Sequence, residues 1–152
     1  MRIAAPEILL IDDNLGDARL IAEVLHMAAP EARLSVTRDG VEGIRFLRRA
    51  GEFATAPTPD LILLDLRMPK RNGLEVLAEV KQDPILRSIP VVVLTSSEAP
   101  QDIRNAYDLH ANCFITKPID LKGFLKAIQS LTDYWFGVAR LPCATAQEPR
   151  TD

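Results

Sequence analysis

Short apolar runs alternate along the chain with longer segments whose apolar residues recur every three or four positions. Two runs, Leu-Ile-Leu-Leu at 61–64 and Pro-Val-Val-Val-Leu-Thr at 90–95, are continuous rather than alternating, the pattern of strands buried on both faces. Residues 7–11 form a similar run ending at Asp12-Asp13, and residues 112–116 form another that Lys117-Pro118 breaks. Residues 33–37 alternate, which suits a strand nearer a sheet edge.

The intervening segments read as helices. Asn14 is placed as an N-cap with Asp17 three residues on, and Leu20, Ile21, Val24, Leu25 and Ala28 form one stripe that Pro30 ends. Asp39-Gly40-Val41-Glu42 resembles a capping box for a second helix, which carries Val41, Ile44, Phe46 and Leu47 and ends near Gly51. A third opens at Gly73 or Leu74, carries Leu77, Ala78 and Val80, and stops at Asp83-Pro84. Pro100 suits the first turn of a fourth, with Ile103, Ala106 and Tyr107. Asp120 caps the last, whose broad face holds Leu121, Phe124, Leu125, Ile128, Leu131 and Trp135.

Five strand–helix units in strict alternation predict an α/β fold: a doubly wound parallel sheet with helices on both faces and right-handed crossovers. The polar residues that interrupt the apolar pattern, Asp12, Asp13, Asp65, Thr95 and Lys117, all fall at strand C-termini. In such folds ligand chemistry sits outside those ends. Residues 1–136 read as one domain, and 137–152 as a partly flexible extension without periodicity.

Composition narrows the function classes. The 152 residues suffice for one core, and a net charge of −3 lacks the basic footprint of a nucleic-acid binder. Arg45, Arg48 and Arg49 read as the solvated face of one helix. No apolar run approaches the roughly 20 residues of a membrane span, and the short N-terminus is no signal peptide, so the expectation is a cytoplasmic protein. Cys113, in a buried strand, and Cys143, in the tail, read as free thiols. His26 and His110 are read as neither ligands nor phosphodonors.

Three carboxylates brought to one sheet edge repel one another unless a cation is present. Mg²⁺ suits such a site, because it takes one or two carboxylates, keeps waters and binds phosphate oxygens. Lys117 adds an ammonium and Thr95 a hydroxyl. Those groups around a carboxylate are what a transferring phosphoryl group needs, and the carboxylate can itself be the nucleophile.

The chain resembles the receiver domains of bacterial two-component response regulators over about residues 7–136. The resemblance rests on Asp12-Asp13 after the first strand and on Asp65-Leu66-Arg67-Met68-Pro69 with Gly73. It extends to Thr95-Ser96 and Phe114-Ile115-Thr116-Lys117-Pro118. It implies the flavodoxin-like (βα)5 fold with strand order 2-1-3-4-5. Asp65 would be the phosphoacceptor, and Mg²⁺ would be held by Asp13, Asp65 and the Arg67 carbonyl, with Asp12 acting through water. Lys117 would pair with a phosphoryl oxygen across a cis Lys117-Pro118 bond. Thr95 and Phe114 would form the switch, Thr95 moving to the phosphoryl group and Phe114 swinging inward behind it.

About 16 residues follow the last helix, too few for an output domain, so the expectation is a single-domain regulator and not a conventional enzyme. Asp133-Tyr134-Trp135-Phe136, Leu141-Pro142 and the Asp108-Leu109-His110-Ala111-Asn112 approach are similar to regulators serving bacterial phytochrome kinases, which implies such a histidine kinase as partner. The alternative is a phosphate shuttle or sink in another phosphorelay. Tyr134, Trp135 and Phe136 cannot all face one core, because consecutive helical residues lie about 100° apart. The expectation is a homodimer through the last helix, with the extension as an arm.

Two other classes fit less well. A haloacid-dehalogenase-type phosphatase needs Asp-x-Asp after the first strand, where this chain has Asp12-Asp13-Asn14-Leu15. A flavodoxin-like cofactor carrier needs a small-residue phosphate loop there, and Asp12-Asp13 would repel a phosphate in the absence of a metal. Taken singly, Asp12 and Asp13 would suit a helix N-terminus, Asp65 a turn, Thr95 a strand and Lys117 a surface. Their placement together on neighbouring strand ends favours the site.

Overall fold

The computed structural model describes residues 5–69 and 71–142. Strands β1 (Glu7–Ile11), β2 (Arg33–Thr37), β3 (Leu61–Leu64), β4 (Val91–Thr95) and β5 (Cys113–Thr116) alternate with helices α1 (Leu15–Ala28), α2 (Gly40–Leu47), α3 (Gly73–Gln82), α4 (Pro100–Asp108) and α5 (Leu121–Asp133). All strand pairs are parallel, in the order β2-β1-β3-β4-β5. This is the doubly wound receiver topology that the alternation and the resemblance led us to expect.

Every residue of β3 and β4 is buried because the sheet is covered on both sides. Side-chain alternation divides the strands between two cores. Leu9, Ile11, Ile62, Leu64, Val91 and Val93 pack with residues of α2, α3 and α4. Ile8, Leu10, Leu61, Leu63, Val92 and Leu94 pack with α1 and α5. The continuous apolar runs thus serve two cores at once.

Several helix starts follow their sequence signals. The Asn14 and Asp120 side chains accept from the N–H groups of Asp17 and Gly123, and Pro100 stands in the first turn of α4. At α2 the box is altered: Asp39 accepts from the Glu42 N–H, but the Glu42 carboxylate accepts from Arg38 N rather than from the cap residue. The complete reciprocal box is at α3, between Asn72 and Glu75.

Some expectations need correction. Helix α2 ends at Leu47, followed by a short 3₁₀ turn, Gly51–Phe53. Val41, Tyr107 and Leu121 are exposed, each turned off the stripe assigned to it. Cys113 is only half-buried, because β5 is an edge strand with one strand neighbour; Cys143 lies outside the described residues. Strand β5 begins at Cys113, since the Asn112 side chain is used to accept from Val91 N. After α5 a π-turn spans Tyr134–Val138. It turns Trp135 and Phe136 onto the α1–α5 core and leaves Tyr134 exposed, edge-on to Trp135.

Candidate functional site

The sheet order reverses direction beside β1, and the crevice that opens there is where such folds bind ligands. β1 and β3 are neighbours in register, with Ile11 opposite Leu64, so the residues that follow them, Asp12 and Asp65, emerge side by side. The Asp65 N–H donates to Ile11 O at 3.0 Å, which fixes that juxtaposition through the backbone. Asp12 is fully buried, Asp65 is buried and Asp13 is exposed. One carboxylate oxygen from each lies within 4.8 Å of the others.

Lys117 arrives from the far side. Its N–H donates to Thr95 O at 2.7 Å, continuing the pairing of β5 with β4. Its ammonium donates to Asp12 Oδ2 at 2.8 Å and to Asp17 Oδ2 at 2.7 Å, and stands 3.7 Å from Asp65 Oδ2. The Lys117 side chain is only 6% exposed. The peptide between Lys117 and Pro118 is trans, not cis. Trans is the intrinsically favoured form by about 0.5–1 kcal/mol, and here it already lets the ammonium reach its partners.

Burial pushes the Asp12 carboxyl up to about 6; the Lys117 bond and the Asn14 N–H oppose this, and the Asp65 charge adds to it. Burial would lower Lys117, yet its bonds to Asp12 and Asp17, with the charges of Asp12 and Asp65, hold it above its ordinary value. By count, the three carboxylates and Asp17 face one ammonium. Three hard oxygen donors with that imbalance fit a divalent cation.

Thr95 is fully buried at the end of β4, and its Oγ1 accepts a long contact, 3.5 Å, from Ser97 N. Arg67 N lies 3.5 Å from Asp65 Oδ1, and the guanidinium reaches across the surface to 3.9 Å from Asp102 Oδ2. Asp102 also accepts from the Ser97 hydroxyl. Phe114 is partly buried against the α2–α4 core, and its N–H donates to the Tyr107 hydroxyl at 3.1 Å. Gly73 closes the loop after Asp65: a Cβ there would meet Asp65 O at 2.3 Å and Leu66 Cα at 2.6 Å.

The structure thus brings together Asp12, Asp13, Asp65 and Lys117, with the Arg67 N–H beside Asp65 and Thr95 buried at the end of β4. Asp17, in the sequence only an acid suited to a helix start, joins them through Lys117. Its position five residues after Asp12, in the first turn of α1, is the available signal. Ser97 and Asp102 had no sequence signal beyond following Thr95.

A family model for the response regulator receiver domain matches residues 8–129. Response regulator Rcp1 of Synechocystis sp. (strain ATCC 27184 / PCC 6803 / Kazusa) is 45% identical over 137 residues, covering 90% of this chain and 93% of that protein. Among solved structures, the phosphorylated cyanobacterial phytochrome response regulator RcpA matches with a TM-score of 0.88 at 46% identity, over 91% of this chain and 99% of that one. The Mn²⁺-bound form of Rcp1 matches with a TM-score of 0.85 at 44% identity, over 90% and 99%.

Proposed function

The chain belongs to the response regulator receiver domain family, and on that premise we propose that it accepts a phosphoryl group on Asp65 from a histidine kinase, in a Mg²⁺-dependent reaction. Regulators of this family are signalling proteins rather than conventional enzymes. The observation that carries the reading is the convergence of Asp12, Asp13 and Asp65 within 4.8 Å, beside a buried ammonium.

Asp65 Oδ attacks phosphorus as the P–N bond of a phosphohistidine breaks, and the imidazole leaves with the bonding pair. Lys117, 3.7 Å from that carboxylate, is the cation positioned to pair with a transferred oxygen. Asp13, Asp65 and the Arg67 carbonyl would hold the metal, with Asp12 acting through water. Bound there, Mg²⁺ supplies positive charge to the phosphoryl oxygens and relieves the carboxylate repulsion. Thr95 supplies a hydroxyl to the phosphoryl group, and Phe114 moves inward behind it, so the α4–β5–α5 surface changes.

Likeness to RcpA, a phytochrome response regulator, favours a phytochrome kinase as the donor. The same reading makes the protein cytoplasmic; no described helix is long and apolar enough to cross a membrane. We also assign residues 1–136 to the receiver domain and 137–152, of which 143–152 lie outside the described residues, to an extension, with α5 forming a homodimer surface. Exposed Tyr134 and Val138 support that surface. Light scattering that gives a monomer at all concentrations would remove it.

Acetyl phosphate with Mg²⁺ should label the protein and leave Asp65→Asn, correctly folded, unlabelled; undiminished labelling of the variant would overturn the assignment. Phosphotransfer from a panel of histidine kinases then decides the partner. Fast transfer from a phytochrome kinase alone supports the pathway. Preferential transfer from another kinase, with onward passage of the group, supports a phosphorelay shuttle or sink.

A further inference from the structure

We propose that Asp17 is a positioning residue of this site: it holds the Lys117 ammonium off Asp65 and is the partner that Lys117 leaves when a phosphoryl group arrives. The inference rests on the reading of Asp65 as phosphoacceptor.

An ammonium has three donors. In Lys117, two make charge-assisted bonds, to Asp12 Oδ2 at 2.8 Å and Asp17 Oδ2 at 2.7 Å. The nearest Asp65 oxygen, at 3.7 Å, lies beyond hydrogen-bond reach. Asp17 is not needed for the helix start through its side chain, because Asn14 already accepts from its N–H at 2.9 Å. An acid serving only the helix dipole would do as well pointing into water. Instead the Asp17 carboxylate turns inward. It also lies outside the group of three carboxylates close enough to share a metal ion, so its partner is the ammonium.

Burial decides which bond gives way. A phosphoryl group on Asp65 adds negative charge that Lys117 must reach. Leaving Asp12, fully buried, would strand a charge out of water, which is costly. Asp17 keeps 33% of its side chain exposed and can exchange the ammonium for water. Lys117 therefore gives up Asp17, and the first turn of α1 loses its tie to the end of β5.

The test uses Mg²⁺ with beryllofluoride as the phosphoryl mimic on the full chain. Asp17→Asn keeps shape but removes the competing charge, and should bind beryllofluoride on the order of fivefold more tightly. Asp17→Glu, which keeps the charge, should stay near wild type. In a Lys117→Ala background the effect of Asp17→Asn should vanish. A metal-free readout comes from proton exchange at Lys117 Nζ by NMR, which should speed severalfold in Asp17→Asn. Unchanged or weaker binding by Asp17→Asn, an equal gain without Lys117, or unaltered Nζ exchange would each overturn the inference while leaving the phosphoacceptor reading intact. A wild-type chain that neither binds beryllofluoride nor labels with acetyl phosphate would overturn that reading and this inference with it.

Discussion

Asp12 and Lys117 are 105 positions apart in sequence and meet as an ion pair of 2.8 Å, one side chain fully shielded from solvent and the other 6% exposed. Such a pair is costly to break from one side, because the remaining charge stays buried. Lys117→Ala should therefore lower stability by about 1–3 kcal/mol near pH 8. The loss should be smaller near pH 5, below the value of about 6 at which Asp12 takes up a proton. Urea denaturation at the two pH values checks this. Equal losses would show that no buried charge is stranded.

The elevated Asp12 carboxyl also sets how a cation acts. Its folded value of about 6 lies above the ordinary 3.8, so the folded chain holds the proton more tightly than the unfolded one. In the metal-free protein that contribution is complete below 3.8 and is lost as pH rises through about 6. A divalent cation needs the carboxylate and works in the opposite sense. Mn²⁺ or Mg²⁺ should raise the melting temperature more near pH 7.5 than near pH 5. Asp12→Asn should flatten the metal-free pH dependence. Cation stabilisation that persisted undiminished at the lower pH would contradict this account.

Much of the site was legible because strand ends are legible. Continuous apolar runs located β3 and β4, and the residues just beyond them could be named without knowing any distance. Asp17 was not legible as a partner of Lys117. That contact depends on how α1 lies against the end of β5, a tertiary relation between segments 100 positions apart. Arg67 was singled out only for its carbonyl, and the approach of its exposed guanidinium to Asp102 depends likewise on where α4 lies. Val41 and Leu121 failed for another reason: each is the first or second residue of its helix, where a 3.6-residue stripe has no earlier turn to fix its phase.

Gly73 and Gly43 give a contrast in what closes the site. A Cβ at Gly73 would press on the backbone of Asp65 and Leu66, which cannot move without moving the acidic cluster. At Gly43 it would meet the buried Ile11 side chain, Cδ1 at 2.7 Å and Cγ1 and Cγ2 at 3.1 Å, so a core side chain rather than the backbone of the acidic loop takes the strain. Gly73→Ala should cost about 1–3 kcal/mol and slow labelling by acetyl phosphate. Gly43→Ala should cost a similar amount by overpacking the core, yet leave labelling nearer wild type. Urea midpoints and initial labelling rates measure both, and equal effects on labelling would show that the loop after Asp65 is not what sets its position.

Salt separates the buried charges from the exposed ones. Arg48 bonds Glu79 at 2.9 Å and Asp83 at 2.7 Å, tying α2 to the end of α3, and its own side chain is well exposed. By distance alone these pairs rival Lys117–Asp12. Water and counterions reach them, however, so neither contributes much. Arg48→Ala should cost under about 1 kcal/mol at low ionic strength and less near 1 M salt, where the screening length falls to about 3 Å. The loss in Lys117→Ala should persist in the same salt, because its penalty is desolvation rather than screened attraction. Urea titrations of both variants at two salt concentrations would show it. A Lys117→Ala loss that faded with salt as Arg48→Ala does would mean that the site is wet, and that burial does not govern which carboxylate Lys117 can leave.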